Sequence, residues 1–168
     1  MRIAMIGSGY VGLVSGACLA DFGHDVTCVD NNPDKIAALE AGRIPIFEPG
    51  LDALVAANAR AGRLTFSTDL RSAVAAADVV FIAVGTPSRR GDGHADLSYV
   101  YGVAREIAHA VSGFTVVVTK STVPVGTGDE VERIIRDENP AADVAVVSNP
   151  EFLREGAAIA DFKRPDRI

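Results

Sequence analysis

The chain has 168 residues, 48% of them hydrophobic and 23% charged, with a formal net charge of −6 and a mean hydropathy of +0.22. This is the make-up of one foldable domain, able to bury roughly 70% of its unfolded surface without a disulfide or metal staple. The acidic balance excludes a general nucleic-acid binder and a partner for anionic membranes, but not an anion held locally by backbone amides and helix ends.

In chain order, Arg2–Ile6 reads as a strand. A glycine-rich turn then opens a helix with Val11, Val14, Cys18 and Phe22 on one face. A strand over Asp25–Asp30 is followed by a helix over Pro33–Ala41, where Pro33 suits the first turn. A helix over Glu48–Ala61 carries Leu51, Leu54 and Val55 at helical spacing. Strands Leu64–Ser67 and Val79–Val84 come next, then a polar loop over Thr86–Asp96. Helix Leu97–Ala110, strand Phe114–Thr119, helix Gly128–Asn139 (closed by Pro140) and strand Val144–Ser148 complete the alternation. Asn149 as cap and Pro150 as first residue predict a further helix. The closing Arg164–Ile168 resembles a lead-in to another strand, so the chain is expected to stop partway through something larger.

The predicted strands are short Val- and Ile-rich runs, which is how parallel strands buried on both faces read. Strands alternating with helices at this spacing imply right-handed crossovers. The expected fold is α/β: a doubly wound, mostly parallel six-stranded Rossmann-type sheet with helices on both faces. Residues 1–168 are expected to form one such domain, in which 149–168 begin the link to a C-terminal part.

Cys18 and Cys28 cannot form a disulfide framework, and neither has a base or cation nearby in sequence to make it a nucleophile. No signal peptide is evident and no run approaches the ~18 apolar residues of a membrane span, so the cytoplasm is the default address. His24, His94 and His109 lack ligand spacing, and no metal site is expected.

Gly7-Ser8-Gly9-Tyr10-Val11-Gly12 is a G-x-G-x-x-G between a predicted strand and a predicted helix. In that context Gly7 makes the tight turn, Gly9 lets a pyrophosphate approach the backbone, and Gly12 lets the helix pack on the sheet. Asp30 falls at the end of the next strand, where a carboxylate holds ribose hydroxyls. Asn31 and Asn32 follow rather than an arginine, which favours NAD over NADP. The bland alternative is a structural turn with an incidental aspartate.

Ligands of open α/β sheets bind beyond the carboxyl ends of the strands. There the sequence delivers Gly7–Gly12, Asp30, Gly85-Thr86-Pro87, Lys120-Ser121-Thr122 and Asn149-Pro150-Glu151. Glu151 and Glu155 are four apart and would share a helix face, with Glu151 in the first turn. An acid there suits a base, but equally a plain helix stabiliser worth ~0.3–1 kcal/mol. Thr122 can offer a hydroxyl to a cofactor or water, or simply cap a turn. Lys35, near Asp30, reads on its own as a solvated surface residue.

The ordered series GSGYVGLVSGACLADFGHDVTCVDNNPDKI, IFEPGLDALV, FIAVGTPS with DGHADLSYV, KSTVPVGT and NPEFLREGAAIADF resembles the UDP-glucose 6-dehydrogenases of the UDP-glucose/GDP-mannose dehydrogenase family. The resemblance covers essentially the whole chain. VPVGT and the loop PSRRGDGHADLSYV look more like the UDP-glucose members than the GDP-mannose ones. It implies NAD-dependent oxidation of a nucleotide-sugar C6 alcohol to a carboxylate by two hydride transfers, through a cysteine thiohemiacetal and thioester. It implies a homo-oligomeric full-length protein serving polysaccharide biosynthesis.

By the same resemblance Gly7, Gly9 and Gly12 cradle the pyrophosphate, and Tyr10, Val11, Asp30, Lys35, Gly85 and Thr86 line the NAD site. Thr122 touches cofactor and helps place the water, and Glu151 acts as base in thioester hydrolysis. Glu151, Phe152, Leu153, Arg154 and Glu155 meet the sugar nucleotide, with Glu155 also near NAD. The family's nucleophilic cysteine, catalytic lysine and asparagine lie beyond the region matched, so this chain alone is expected to be inactive. A stand-alone NAD-binding module without turnover and a GDP-mannose 6-dehydrogenase remain the alternatives.

Overall fold

The computed structural model describes residues 1–89, 91 and 93–168. Its strands are β1 (Arg2–Ile6), β2 (Asp25–Val29), β3 (Leu64–Ser67), β4 (Val79–Ile82), β5 (Thr115–Thr119) and β6 (Val144–Ser148). The helices are α1 (Tyr10–Asp21), α2 (Pro33–Glu40), α3 (Leu51–Arg60), α4 (Leu70–Ala76), α5 (Ser98–Ala110), α6 (Thr127–Glu138) and α7 (Ala158–Lys163).

The sheet runs β3-β2-β1-β4-β5-β6, and every pair is parallel, including the pairs expected to be only mostly so. Ile6 at the end of β1 stands opposite both Val29 and Ile82. From β1 the chain winds outward to β3, then returns to the other side of β1 as β4. That reversal leaves a crevice beyond the carboxyl ends of β1 and β4.

Two apolar clusters flank the sheet. One joins Ile6, Val80 and Ile82 to Val74 of α4, Val100 and Ile107 of α5, and Val131 and Ile135 of α6. The other joins Met5, Val26 and Cys28 to Leu13 and Val14 of α1, Ile36 and Leu39 of α2, Leu51 and Val55 of α3, and Ala158 of α7. The helices are thus divided between the two faces, which forces the chain to cross the sheet between β3 and β4.

Several expectations need correction. The one-face reading of α1 was too narrow: the helix is buried almost all round, whereas Phe22 closes it 52% exposed. Its small residues admit β-strands on one side and α3 and α7 on the other. α3 starts at Leu51, not Glu48, because Gly50 adopts a left-handed conformation just ahead of it. α4 escaped the sequence reading. It is seven residues long, and Asp69 caps it by accepting from the Ser72 amide at 3.0 Å.

The larger correction concerns 149–157, where no helix forms. The Asn149 carboxamide is taken by Lys120 Nζ, which donates to Oδ1 at 3.1 Å, so it caps nothing. Glu151 Oε2 accepts from the Leu153 amide at 2.6 Å, a local turn that no helix continues. Regular structure resumes only at Ala158, after Gly156 at φ +86°. Glu151 and Glu155 therefore share no helix face. Residues 164–168 carry no strand.

The Thr86–Asp96 loop is pinned at its base, where Ser88 bridges Ala95 and the Asp96 amide donates to Pro87 O at 2.8 Å. Arg90 and Asp92 of that loop lie outside the described residues. Among the described residues no helix is long and apolar enough to cross a membrane.

Candidate active site

The glycine-rich turn is built by contact. Gly7 has φ +104°, and a Cβ there would fall 2.6 Å from the Ala83 carbonyl oxygen. A Cβ on Gly12 would fall 1.8 Å from the Gly7 carbonyl oxygen. Both positions therefore admit only hydrogen. Gly9 differs: nothing lies within 4 Å of where its Cβ would stand. The space is left open on the side from which a ligand approaches. Gly9 is the N-cap of α1, and no side chain caps that helix among the described residues, so its first-turn amides are available to an anion. The Ser8 hydroxyl in the same turn is buried without a hydrogen-bond partner among the described residues.

Asp30, 9% exposed, sits just past β2. Its Oδ2 accepts from the Ser8 amide at 3.0 Å and from Lys35 Nζ at 2.7 Å, and its Oδ1 from the Asn32 amide at 3.1 Å. Burial pushes its pKa up, but the Lys35 ammonium and the two amides outweigh burial and hold it below the usual carboxylate range. Lys35 is brought there by α2, whose first turn is set by Pro33 and by the Asn32 side chain accepting from the Asp34 and Lys35 amides.

A cleft of about 560 Å³ opens over these groups. Gly7, Gly9, Asp30, Asn31, Lys35 and Gly85 form its polar rim, while Ile6, Val29, Leu70, Val84, Tyr99 and Val103 supply apolar walls. An apolar slot beside a bare turn and a charged acceptor fits an adenine nucleotide, with Asp30 placed to accept from ribose hydroxyls and Gly9 placed to admit a pyrophosphate.

Of the other expected cofactor residues, Thr86 and Thr122 are brought together, Thr86 Oγ1 donating to the Thr122 carbonyl at 3.0 Å. Ser121, next to Thr122, ties this pair to the end of β4: its amide donates to Ile82 O at 3.1 Å and its hydroxyl to Val84 O, just past the strand, at 2.7 Å. Val11, in the first turn of α1, is half-buried and packs against the core. Tyr10 turns away from the cleft, and its hydroxyl donates to Glu48 at 2.5 Å. Burial, and then this bond, push the Tyr10 phenol up to about 12.

The segment after β6 borders a second cavity of about 590 Å³, lined by Glu151, Phe152, Leu153 and Arg154 together with Lys120 and Asn149. Lys120 is buried, which lowers its pKa against the pull of the nearby Glu151 carboxylate. The Arg154 guanidinium is held by Asp161 of α7, with contacts of 2.6 and 3.1 Å, and that hydrogen bonding lowers the Asp161 carboxyl to about 2. Glu155 lines neither cavity; it is exposed beside Tyr10.

Sequence reasoning brought Lys120 and Asn149 to the ligand edge of the sheet without giving either a role, and missed Glu48 as a site residue. The signal for Lys120 was a charge directly after a buried strand. For Glu48 it was an acid directly before Pro49-Gly50, which the sequence reading took for the first residue of a helix.

Residues 1–168 match the model of the UDP-glucose/GDP-mannose dehydrogenase family, NAD binding domain. The chain is 79% identical to a UDP-glucose 6-dehydrogenase of Rhizobium meliloti (strain 1021), across 100% of this chain and 38% of that protein. It is 49% identical to a UDP-glucose 6-dehydrogenase of Pseudomonas aeruginosa, again covering 38% of the relative. Among solved structures, a UDP-glucose dehydrogenase from the hyperthermophilic archaeon Pyrobaculum islandicum superposes with a TM-score of 0.94 at 45% identity, covering 99% of this chain and 39% of that one. A GDP-mannose dehydrogenase from Pseudomonas aeruginosa gives 0.93 at 44%, covering 98% and 39%. The chain thus spans well under half the length of these relatives. Its glycine turn, its buried acid and its match to the family model over every residue show that it belongs to the UDP-glucose/GDP-mannose dehydrogenase family, as an NAD-binding domain.

Proposed function

We propose that this chain supplies the NAD-binding part of a longer enzyme that oxidises the C6 alcohol of UDP-glucose to the carboxylate, giving UDP-glucuronate. The observation that carries the substrate is the 79% identity to a UDP-glucose 6-dehydrogenase along the entire chain. NAD, when bound, supplies the hydride acceptor for each oxidation.

The residues divide the remaining work. Gly9 and the open first turn of α1, from Tyr10 through Val11 to Gly12, receive the pyrophosphate. Asp30 accepts from the adenosine ribose, and Lys35 keeps that carboxylate charged and oriented. Gly85, Thr86 and Thr122 border the nicotinamide end, with Thr122 helping to place a water. Glu151 acts as the base that activates this water for release of the acid. Its Oε2 is fixed by the Leu153 amide, and its other oxygen has no hydrogen-bond partner among the described residues. Phe152, Leu153 and Arg154 meet the nucleotide sugar, and Glu155 closes toward the cofactor.

The chain's own thiols take no part. Cys18 and Cys28 are buried, and burial pushes them up to about 11 and about 12. A thiol that is neither exposed nor ionised is a poor nucleophile, so the covalent step belongs to a residue outside this domain.

The test is stoichiometry and intact mass in the full-length protein. UDP-glucose should reduce two NAD per sugar, with GDP-mannose much poorer. Glu151→Gln should slow hydrolysis ~10²–10⁴-fold, the usual loss with a general base, and should accumulate a covalent acyl adduct. Preferential turnover of GDP-mannose would move the protein to the other branch of the family. Full activity without an adduct in Glu151→Gln would remove Glu151 from the mechanism.

A further inference from the structure

We infer that Glu48 is a positioning residue that fastens the Glu151–Glu155 segment to the glycine-rich turn; the inference deepens the reading above and rests on it. Glu48 lies in the loop before α3 and is 6% exposed. Its Oε2 accepts from the Tyr10 hydroxyl at 2.5 Å and from the Gly156 amide at 2.8 Å, and its Oε1 faces the Ile159 amide at 3.4 Å. Tyr10 directly follows Gly9, and Gly156 directly follows Glu155. One carboxylate therefore joins the mouth of the cofactor cleft to the segment assigned to substrate and to the nicotinamide end.

The choice of a charged group is informative. A buried carboxylate is costly unless donors surround it. Here several donors converge, and a neutral glutamine would turn its own N–H groups toward some of them. Burial drives the Glu48 carboxyl up, but the Tyr10 hydroxyl and the Gly156, Ile159 and Ala158 amides bring it below the usual range, so it stays ionised. α7 is secured independently at its far end, where Lys163 contacts Asp21 at 2.6 Å and Phe162 packs on Phe22 with ring centroids 6.2 Å apart. The freedom that Glu48 removes is thus at the near end, around Gly156, next to Glu155. Glu48 does not line the cleft, so it can act on a bound cofactor only through Tyr10 and this segment.

The test compares NADH with ADP-ribose, which lacks the nicotinamide, by titration calorimetry on the full-length protein. The wild type should bind NADH more tightly. Glu48→Gln should leave ADP-ribose affinity within about 2-fold and weaken NADH by about 5-fold or more, the lower range of measured couplings between sites. Lys163→Ala should lower thermal stability and leave both affinities unchanged, separating a loosened α7 from a lost anchor. Equal losses for both probes, or an unchanged NADH affinity, overturn the role of Glu48. A wild type that does not discriminate between the probes overturns the placement of the segment at the nicotinamide end, and this inference with it. Should Glu48→Gln not fold, amide exchange on the wild type decides. NADH must raise the protection of Gly156 and Ile159, and unchanged protection rejects the coupling.

Discussion

Asp30 shows how one residue is prepared for a ligand. It keeps its charge in a nearly buried site because an ammonium and two amides face it, and Oδ1 retains room for further donors. Replacing it by alanine should weaken NAD binding by about 1–3 kcal/mol, the scale of a hydrogen bond to a charged group, as read by calorimetry. The sign of its pH effect follows from its lowered pKa. Its contribution to stability is complete above the unfolded value, near ~3.9, and is lost as pH falls through the lower folded value. The domain should therefore lose stability in acid below about pH 4, and less so in Asp30→Ala. The second and third glycines of the turn make a contrasting pair. Gly12→Ala must displace the Gly7 carbonyl, so it should cost ~1–3 kcal/mol and lower the melting temperature by roughly 2–4 °C per kcal/mol. Gly9→Ala meets nothing in the protein, so stability should hold within about 0.5 kcal/mol while NADH affinity falls about tenfold. Asp30 and these glycines were legible because their partners are close in sequence and their spacing is itself a signal. Glu48 was not, since its partners lie 38 and 108 positions away, and only the folded chain brings them together.

At the scale of the element, the strands were readable because parallel strands are continuous apolar runs, and no other part of the chain imitates them. The helix expected at Asn149-Pro150 shows the limit. Cap and first-turn residues were present, but a capping side chain works only if nothing stronger claims it, and Lys120 does. Glu151 likewise spends an oxygen on Leu153. α4 was missed for the opposite reason: it is short, and its alanines blur the apolar period. The seat of α7 is open to test. Ala158 is fully buried against the α1 cluster. Ala158→Asp would bury an unpaired charge there and should unseat α7. Tryptic cleavage at Arg154 should then accelerate while the circular dichroism of the sheet persists. Unchanged cleavage would show that α7 is held by its end contacts alone.

For the whole molecule, the reversal of strand order beside β1 sets the cleft, and the parallel crossovers that permit it are what the sequence alternation announces. What the alternation does not encode is how tightly α1 is clamped. A Cβ on Gly16 would stand 2.6 Å from the sulfur of Cys28, so helix and strand are packed sulfur to backbone with no slack. The consequence is that the domain carries its own stopwatch. The Cys28 thiol cannot meet a reagent until α1 lifts from β2, so the rate at which Cys28 is alkylated counts openings of the core rather than the reactivity of a surface group. Ligand should slow that clock by mass action: NADH at a hundred times its dissociation constant stabilises by about 2.7 kcal/mol and should retard Cys28 labelling by about a hundredfold. In a longer chain, any thiol that reacts within seconds under native conditions would then be counting something other than this domain.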